Sequence, residues 1–356
     1  MKKSYTRREF LELSALAAAG AAVLPSLLME ACSSGKNTVN FFNWSRYIAP
    51  NTLPRFTQKT GIKVNYEEFS SEDAMFAKLK SGAQGYDLAV VTDYLVPKFK
   101  ALGLIDEFPD GSVPNAKNIA PHFRRPPYDP SGAYALPYLW GTTGIGFNRL
   151  DLKKRPDSWH DLWNPLYAGK ISMLDDARDC VATALLMLNR PEGTQDPKIL
   201  DQAKQLLISQ RPLVYQYSND TYIDSLSAGN VFLAMGWSGD VLQASEENSH
   251  IDYTIPKEGS YLWVDNLCLI HNSPHKKEAL ELANYLLEGK VAADIANFVR
   301  YATPNAAALP HIAPSLLHDP RIYPTPTINR RLRFTAIIND ETERKWNQIW
   351  MEVKAA

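Results

Sequence analysis

Between Val39 and Val91 the sequence changes pattern four times at short spacing, and this alternation constrains the fold more than any other feature. Val39 to Phe42 reads as a short apolar strand. Pro50 to Lys59 then places Leu53 and Phe56 on one helical face, with Gly61 just past the end as a terminator. Ile62 to Phe69 alternates as a second strand, with Val64 and Tyr66 on one side. Ser70-Ser71-Glu72-Asp73 supplies a cap and early acids for a helix to about Lys80, and after Gly82 comes the apolar strand Leu88-Ala89-Val90-Val91. A β-α-β-α-β series predicts a parallel sheet with helices on both sides and a ligand crevice beyond the carboxyl ends of its strands.

The residues just after those strand ends are Asn43-Trp44-Ser45-Arg46-Tyr47 and Thr92-Asp93-Tyr94, each with an aromatic ring and a hydroxyl where such a fold places a ligand. Residues 148 to 260 read as a second α/β unit. It has a capped short helix at Ser158 to Trp163, a strand at Ile171 to Leu174, and a helix at Arg178 to Leu188. Helices at Pro197 to Ile208 and Asp220 to Ser227 and a strand at Val231 to Met235 follow. Asp176 and Asp179 stand three apart at the start of one helix, hence on one side of its first turn. Gly236-Trp237-Ser238-Gly239-Asp240 lacks the final glycine of a nucleophile elbow and instead pairs an indole with a carboxylate. In the strand Tyr261 to Leu269, Tyr261, Trp263 and Asp265 share one face, and Leu262, Val264 and Cys268 the other. Taken singly, each of these residues has an ordinary explanation in core packing or helix-dipole complementation. Together they repeat one theme, a ring beside a carboxylate, which suits a cationic or polyhydroxylated small molecule.

The Pro/Gly-rich stretch Pro126 to Pro137 and the Gly-dotted run Trp140 to Phe147 read as a crossing between domains, with glycines that let chain segments approach closely. Helices at Lys276 to Leu287, ended by Gly289, and at Val291 to Arg300 follow, and a helix from about Asp340 to Val353 buries Trp346 and Trp350 on one face. At 356 residues two domains are expected. A formal net charge of -1 argues against long-range attraction to nucleic acid or to an anionic membrane. The seven histidines show no metal-ligand spacing, and nothing calls for a cofactor. Thr6-Arg7-Arg8-Glu9-Phe10-Leu11 before an Ala-rich apolar run has the form of a twin-arginine export signal over residues 1–31. Leu28-Met29-Glu30-Ala31-Cys32 has the form of a lipoprotein processing site, with a flexible tether over residues 32–37. Cys180 and Cys268 then remain in the folded part, as a disulfide or as two buried thiols.

From about Asn37 onward the chain resembles the periplasmic polyamine-binding proteins of ABC transporters, the spermidine and putrescine binders. The resemblance is carried by an ordered series: Phe42-Asn43-Trp44-Ser45-Arg46-Tyr47-Ile48-Ala49-Pro50, Leu139-Trp140-Gly141, Asp175-Asp176-Ala177-Arg178, Pro256-Lys257-Glu258-Gly259 and Tyr301-Ala302-Thr303-Pro304-Asn305. It implies an α/β, two-lobed periplasmic-binding-protein fold of type II, each lobe a mostly parallel sheet flanked by helices, with the ligand in the cleft between them. Residues 38–140 plus 263–306 would form the first lobe, and 141–262 plus 307–356 the second. Trp44, Ser45, Tyr47, Thr92 and Tyr94 would line the first-lobe wall, and Asp176, Asp179, Trp237 and Asp240 the second. Trp263, Asp265 and Tyr301 would complete the cavity. Asp240 matches a carboxylate typical of putrescine binders, and Asp179 stands where Glu is frequent. Arg46 departs from the acid common in relatives, so its guanidinium either faces the ligand or turns to solvent, and Thr335 stands where spermidine binders offer an amide.

The chemistry of the residues agrees with this resemblance, because a polyamine needs rings along its methylene chain and carboxylates at its ammonium groups. The expected protein is a monomeric, non-enzymatic binder, periplasmic or on the cell surface and lipid-anchored at Cys32, that delivers a polyamine to permease subunits in the membrane. The rival readings are a binder of a sugar or other organic cation, and a glycoside hydrolase using paired carboxylates.

Overall fold

The structure, a computed structural model, describes residues 37–82 and 85–356. The export signal and Cys32 lie outside the described residues, as does all of the tether except Asn37. The first sheet begins with β1 (Thr38–Trp44), β2 (Lys63–Phe69) and β3 (Leu88–Thr92), in which β1 lies parallel between the other two. Helix α1 (Thr52–Thr60) joins β1 to β2 and buries Phe56. It ends as its sequence dictates, since Gly61 adopts a left-handed φ of 75° and returns its N–H to the carbonyl of Thr57. Helix α2 (Glu72–Lys80) starts where the Ser71 side chain accepts from the N–H of Ala74. A two-residue β4 (Ile105–Asp106) follows.

Two long strands then tie the molecule together. β5 (Leu136–Asn148) pairs antiparallel with β10 (Ser260–Ile270) through residues 136–142. Its other half, residues 143–147, pairs with β8 (Leu233–Trp237). The strand order runs β2-β1-β3-β10-β5-β8-β6-β7, with β6 at Ile171–Met173 and β7 at Val214–Tyr217. β4 and β11 (Leu332–Phe334) pair with β10, and β9 (Ile251–Thr254) with β5. Parallel pairing holds within β1–β3 and within β6–β8, whereas β10 and β5 run antiparallel to their neighbours at the centre. That mixture makes the fold the expected α/β one. The Gly-dotted run is thus part of one extended strand that passes from the partner β10 to the partner β8.

Several boundaries move for local reasons. Ser158 caps a 3-10 turn, Trp159–Trp163, through a capping box with Asp161, and no α-helix forms. The helix Lys276–Leu286 ends before Gly289, which opens the next helix, Gly289–Val299. β8 starts two residues later than its apolar run and carries Trp237 as its last residue. Cys180 and Cys268 are both free and fully buried, so no disulfide joins them.

Candidate ligand cleft

The carboxyl ends of the parallel strands converge on one cavity of about 730 Å³. All twelve residues singled out in the sequence line it: Trp44, Ser45, Tyr47, Thr92, Tyr94, Asp176, Asp179, Trp237, Asp240, Trp263, Asp265 and Tyr301. Trp44 ends β1, Thr92 ends β3 and Trp237 ends β8, as the crevice rule for such sheets requires. Trp263 and Asp265 project from the middle of β10, two residues apart on one face, and the ladder with β5 slips just beyond Asp265. Asp176 and Asp179 enter from the start of α3 (Ala177–Met187), and Asp240 from the first turn of α4 (Ser238–Glu247).

Each of these four carboxylates is held by neutral donors. Asp265 accepts from the hydroxyls of Thr92 and Tyr47, both at 2.7 Å. Asp240 accepts from Tyr301 at 2.8 Å and Tyr222 at 3.2 Å. Asp179 accepts from Thr143 at 2.9 Å and from the Trp237 indole N–H at 3.0 Å. Asp176 caps its helix by accepting from the N–H of Asp179 at 2.9 Å. Burial pushes Asp265 and Asp240 up to about 6, against the pull of those hydroxyls. Burial likewise raises Asp176 and Asp179, whose proximity to each other adds to the rise at Asp176. The rings form the rest of the wall. Trp44 and Trp237 meet edge to face at 5.6 Å, Trp263 and Tyr301 at 5.3 Å, and Tyr47 and Tyr301 at 5.1 Å.

Two glycines make that wall possible. A Cβ on Gly141 would stand 2.7 Å from the Trp263 ring, and one on Gly239 would collide with the ring of Tyr301. The rings therefore lie directly against bare backbone.

Arg46 does not line the cavity. Its backbone is left-handed, with φ 57°, and this turns the side chain out to an exposed ion pair with Asp224 at 3.6 Å. Ser45 lines the cavity in its place, so the outward of the two alternatives holds, although the Arg46 charge still reaches Asp240 and pulls that carboxyl down. Thr335 does line the cavity.

Sequence reasoning gave no ligand role to Ser70, Glu72, Arg178, Glu192 or Asn219, all of which line it. Ser70 and Glu72 follow the end of β2, so the strand-end rule that found Trp44 and Thr92 would have found them. In the sequence Glu72 reads as an early acid that complements the dipole of its own helix. Glu192 lies between helices, where no periodicity marks it. Arg178 is the cavity's one cation among the described residues, and it is already engaged. Its guanidinium lies 3.8 Å from the Tyr94 ring centre, pairs with the buried Glu192 at 3.4 Å, and donates to the carbonyl of Ala336. The cleft is thus a ring-walled, strongly anionic pocket between two strand-and-helix units. Such a site defines a solute-binding protein.

The comparisons agree with that class. The chain belongs to the bacterial extracellular solute-binding protein family, whose model matches residues 52–320. It is 37% identical over 311 residues to the spermidine/putrescine-binding periplasmic protein of Escherichia coli K12, covering 87% of this chain and 89% of that one. It is 31% identical over 355 residues to the putrescine-binding periplasmic protein PotF of the same organism, covering 94% and 96%. Among solved structures, a putative spermidine/putrescine ABC transporter protein from Listeria monocytogenes superposes with a TM-score of 0.85 at 30% identity, over 89% of this chain and 99% of that one. The TpPotD lipoprotein of Treponema pallidum gives 0.78 at 25% identity, over 90% and 100%. The two-lobed periplasmic-binding-protein fold follows from these likenesses.

The raised carboxyl groups carry a stability consequence. Folding lifts Asp265 and Asp240 above the unfolded value near 4, so between about pH 4 and 6 the native state holds more protons than the unfolded chain. The ligand-free protein therefore loses this contribution as pH rises through that window, and for Asp265 alone the loss is on the order of 3 kcal/mol. Urea unfolding of the ligand-free protein across the window measures it. Asp265→Asn should flatten the decline, and an unchanged slope would show that this carboxylate is not strained by burial.

Proposed function

We propose that the protein is an extracytoplasmic receptor that captures a polyamine, spermidine or putrescine, and delivers it to the permease of an ABC transporter without catalysing a reaction. The observation that carries this reading is the set of four cleft carboxylates, Asp265 buried and Asp176, Asp179 and Asp240 half-buried, whose hydrogen bonds all come from neutral donors and three of which, Asp179, Asp240 and Asp265, accept from an indole or phenol. Carboxylates buried beside ring faces await a cation. An ammonium group answers the charge, and the methylene chain lies against the rings. Relatives named for spermidine and putrescine binding support the same ligand class. The twelve cavity residues are proposed as the ligand-binding set, with Asp176, Asp179, Asp240 and Asp265 receiving ammonium groups and Trp44, Trp237, Trp263 and Tyr301 stacking along the chain. Residues 38–140 with 263–306 and residues 141–262 with 307–356 are proposed as the two lobes that close on it, in a protein that acts as a monomer.

A thermal-shift panel of putrescine, spermidine, spermine and neutral oligosaccharides tests the ligand class. A polyamine should raise the melting temperature and an oligosaccharide should not, because only a ligand of the native state stabilises it. A shift with the sugars alone would replace this reading by the sugar one. Asp240→Asn keeps the shape and removes a charge, and it should weaken polyamine binding by roughly 2–4 kcal/mol in calorimetry.

Export by the twin-arginine route and anchoring through lipidated Cys32 are proposed from the Arg7-Arg8 pair and the processing-site sequence. The Treponema pallidum relative bears the name lipoprotein, which supports the anchor. Mass spectrometry of the membrane-extracted protein should find a mature chain beginning at acylated Cys32. An unmodified cysteine there would remove the anchor.

A further inference from the structure

Glu72 is the cavity carboxylate that the rest of the site leaves unanswered. It opens α2 and lines the cleft. It also lines an adjoining chamber of about 570 Å³, together with Asp73, Phe76 and Trp346. Asp176, Asp179, Asp240 and Asp265 each accept hydrogen bonds, whereas no group among the described residues donates to Glu72 at hydrogen-bond distance and angle. Thr92, whose hydroxyl is near Glu72, gives its proton to Asp265 at 2.7 Å. Arg178, the nearby cation, is held by Glu192 and stacked on Tyr94.

Glu72 and Asp176 line both the cleft and the adjoining chamber, whereas Asp179, Asp240 and Asp265 line the cleft alone. A diamine whose two ammonium groups lie among the cleft aspartates leaves Glu72, where the two cavities meet, without a matching charge. A triamine brings a third ammonium group within reach of it. The adjoining chamber gives the extra length room, with ring faces for its methylenes.

We infer that Glu72 is a ligand carboxylate that receives a third ammonium group, so that this cleft selects a triamine over a diamine. The inference rests on the polyamine reading above, and it names the member of that class which the site fits.

Calorimetric titration of the wild-type protein and of Glu72→Gln with putrescine and with spermidine tests it. Wild type should bind spermidine about tenfold or more tightly than putrescine, and Glu72→Gln should lose about tenfold for spermidine while putrescine changes by less than about twofold. Equal weakening of both ligands, or spermidine affinity unchanged, overturns the assignment. If Glu72→Gln melts early, Glu72→Asp serves instead, because it keeps the charge at the helix start but withdraws it from the ligand. Its loss must then also fall more heavily on spermidine, and an even loss overturns the assignment. Wild-type protein that binds neither amine overturns the polyamine reading itself, an outcome distinct from an even response to the variants.

Discussion

The structure turns on the burial of negative charge without a matching positive charge. Four aspartates sit at helix starts and in the middle of β10 around one cavity, and phenols, two threonine hydroxyls, an indole and a backbone N–H are what they accept from. Neutral donors lower the penalty of burial but do not cancel it, which is why Asp265 and Asp240 are pushed up to about 6. A site of this kind is poorly satisfied by water alone and well satisfied by ammonium groups. The one guanidinium lining the cavity is withdrawn from the competition, since Glu192, the Tyr94 ring and the Ala336 carbonyl already hold it.

The fold supplies this arrangement through the two central strands. β10 presents Trp263 and Asp265 from its middle, where β5 pairs with both and β3 holds Asp265 from the other side. β5 is shared, one half pairing with β10 and the other with β8. β5 therefore runs without a break from one half of the sheet into the other. Gly141 on β5 and Gly239 on α4 let the Trp263 and Tyr301 rings lie against backbone, so the ring wall crosses the same seam. On the outer side, the exposed Arg46–Asp224 pair bridges the loop after β1 to the helix Tyr222–Ser227. An ion pair so open to water contributes little to stability.

Much of this was legible in the sequence because two periodicities and one topological rule act locally. The β-α-β-α-β series of residues 39–91 fixed where ligand residues of the first unit had to stand, and alternation in β10 put Trp263 and Asp265 on one face. What escaped depends on contacts distant in sequence. The left-handed turn at Arg46 is invisible in composition, because a non-glycine residue gives no sign of positive φ. Glu72 was hidden by a sufficient local explanation, the dipole of its own helix. Glu192 enters the cavity from a segment with no pattern at all, fixed by Arg178 and by the N–H of Ala336 from the far end of the chain. The central antiparallel pair escaped for a related reason: strand direction is set by the whole order of strands, not by the residues of one strand.

The central claim is that ammonium groups complete carboxyls held part-protonated by burial. Titration calorimetry of spermidine at about pH 6, in two buffers of different ionisation enthalpy, tests it directly, because carboxyls held near that pH must give up protons as the ligand binds. The account predicts an observed enthalpy that changes with the buffer in the sense of net proton release. Tight binding with a buffer-independent enthalpy, or no binding, would contradict it.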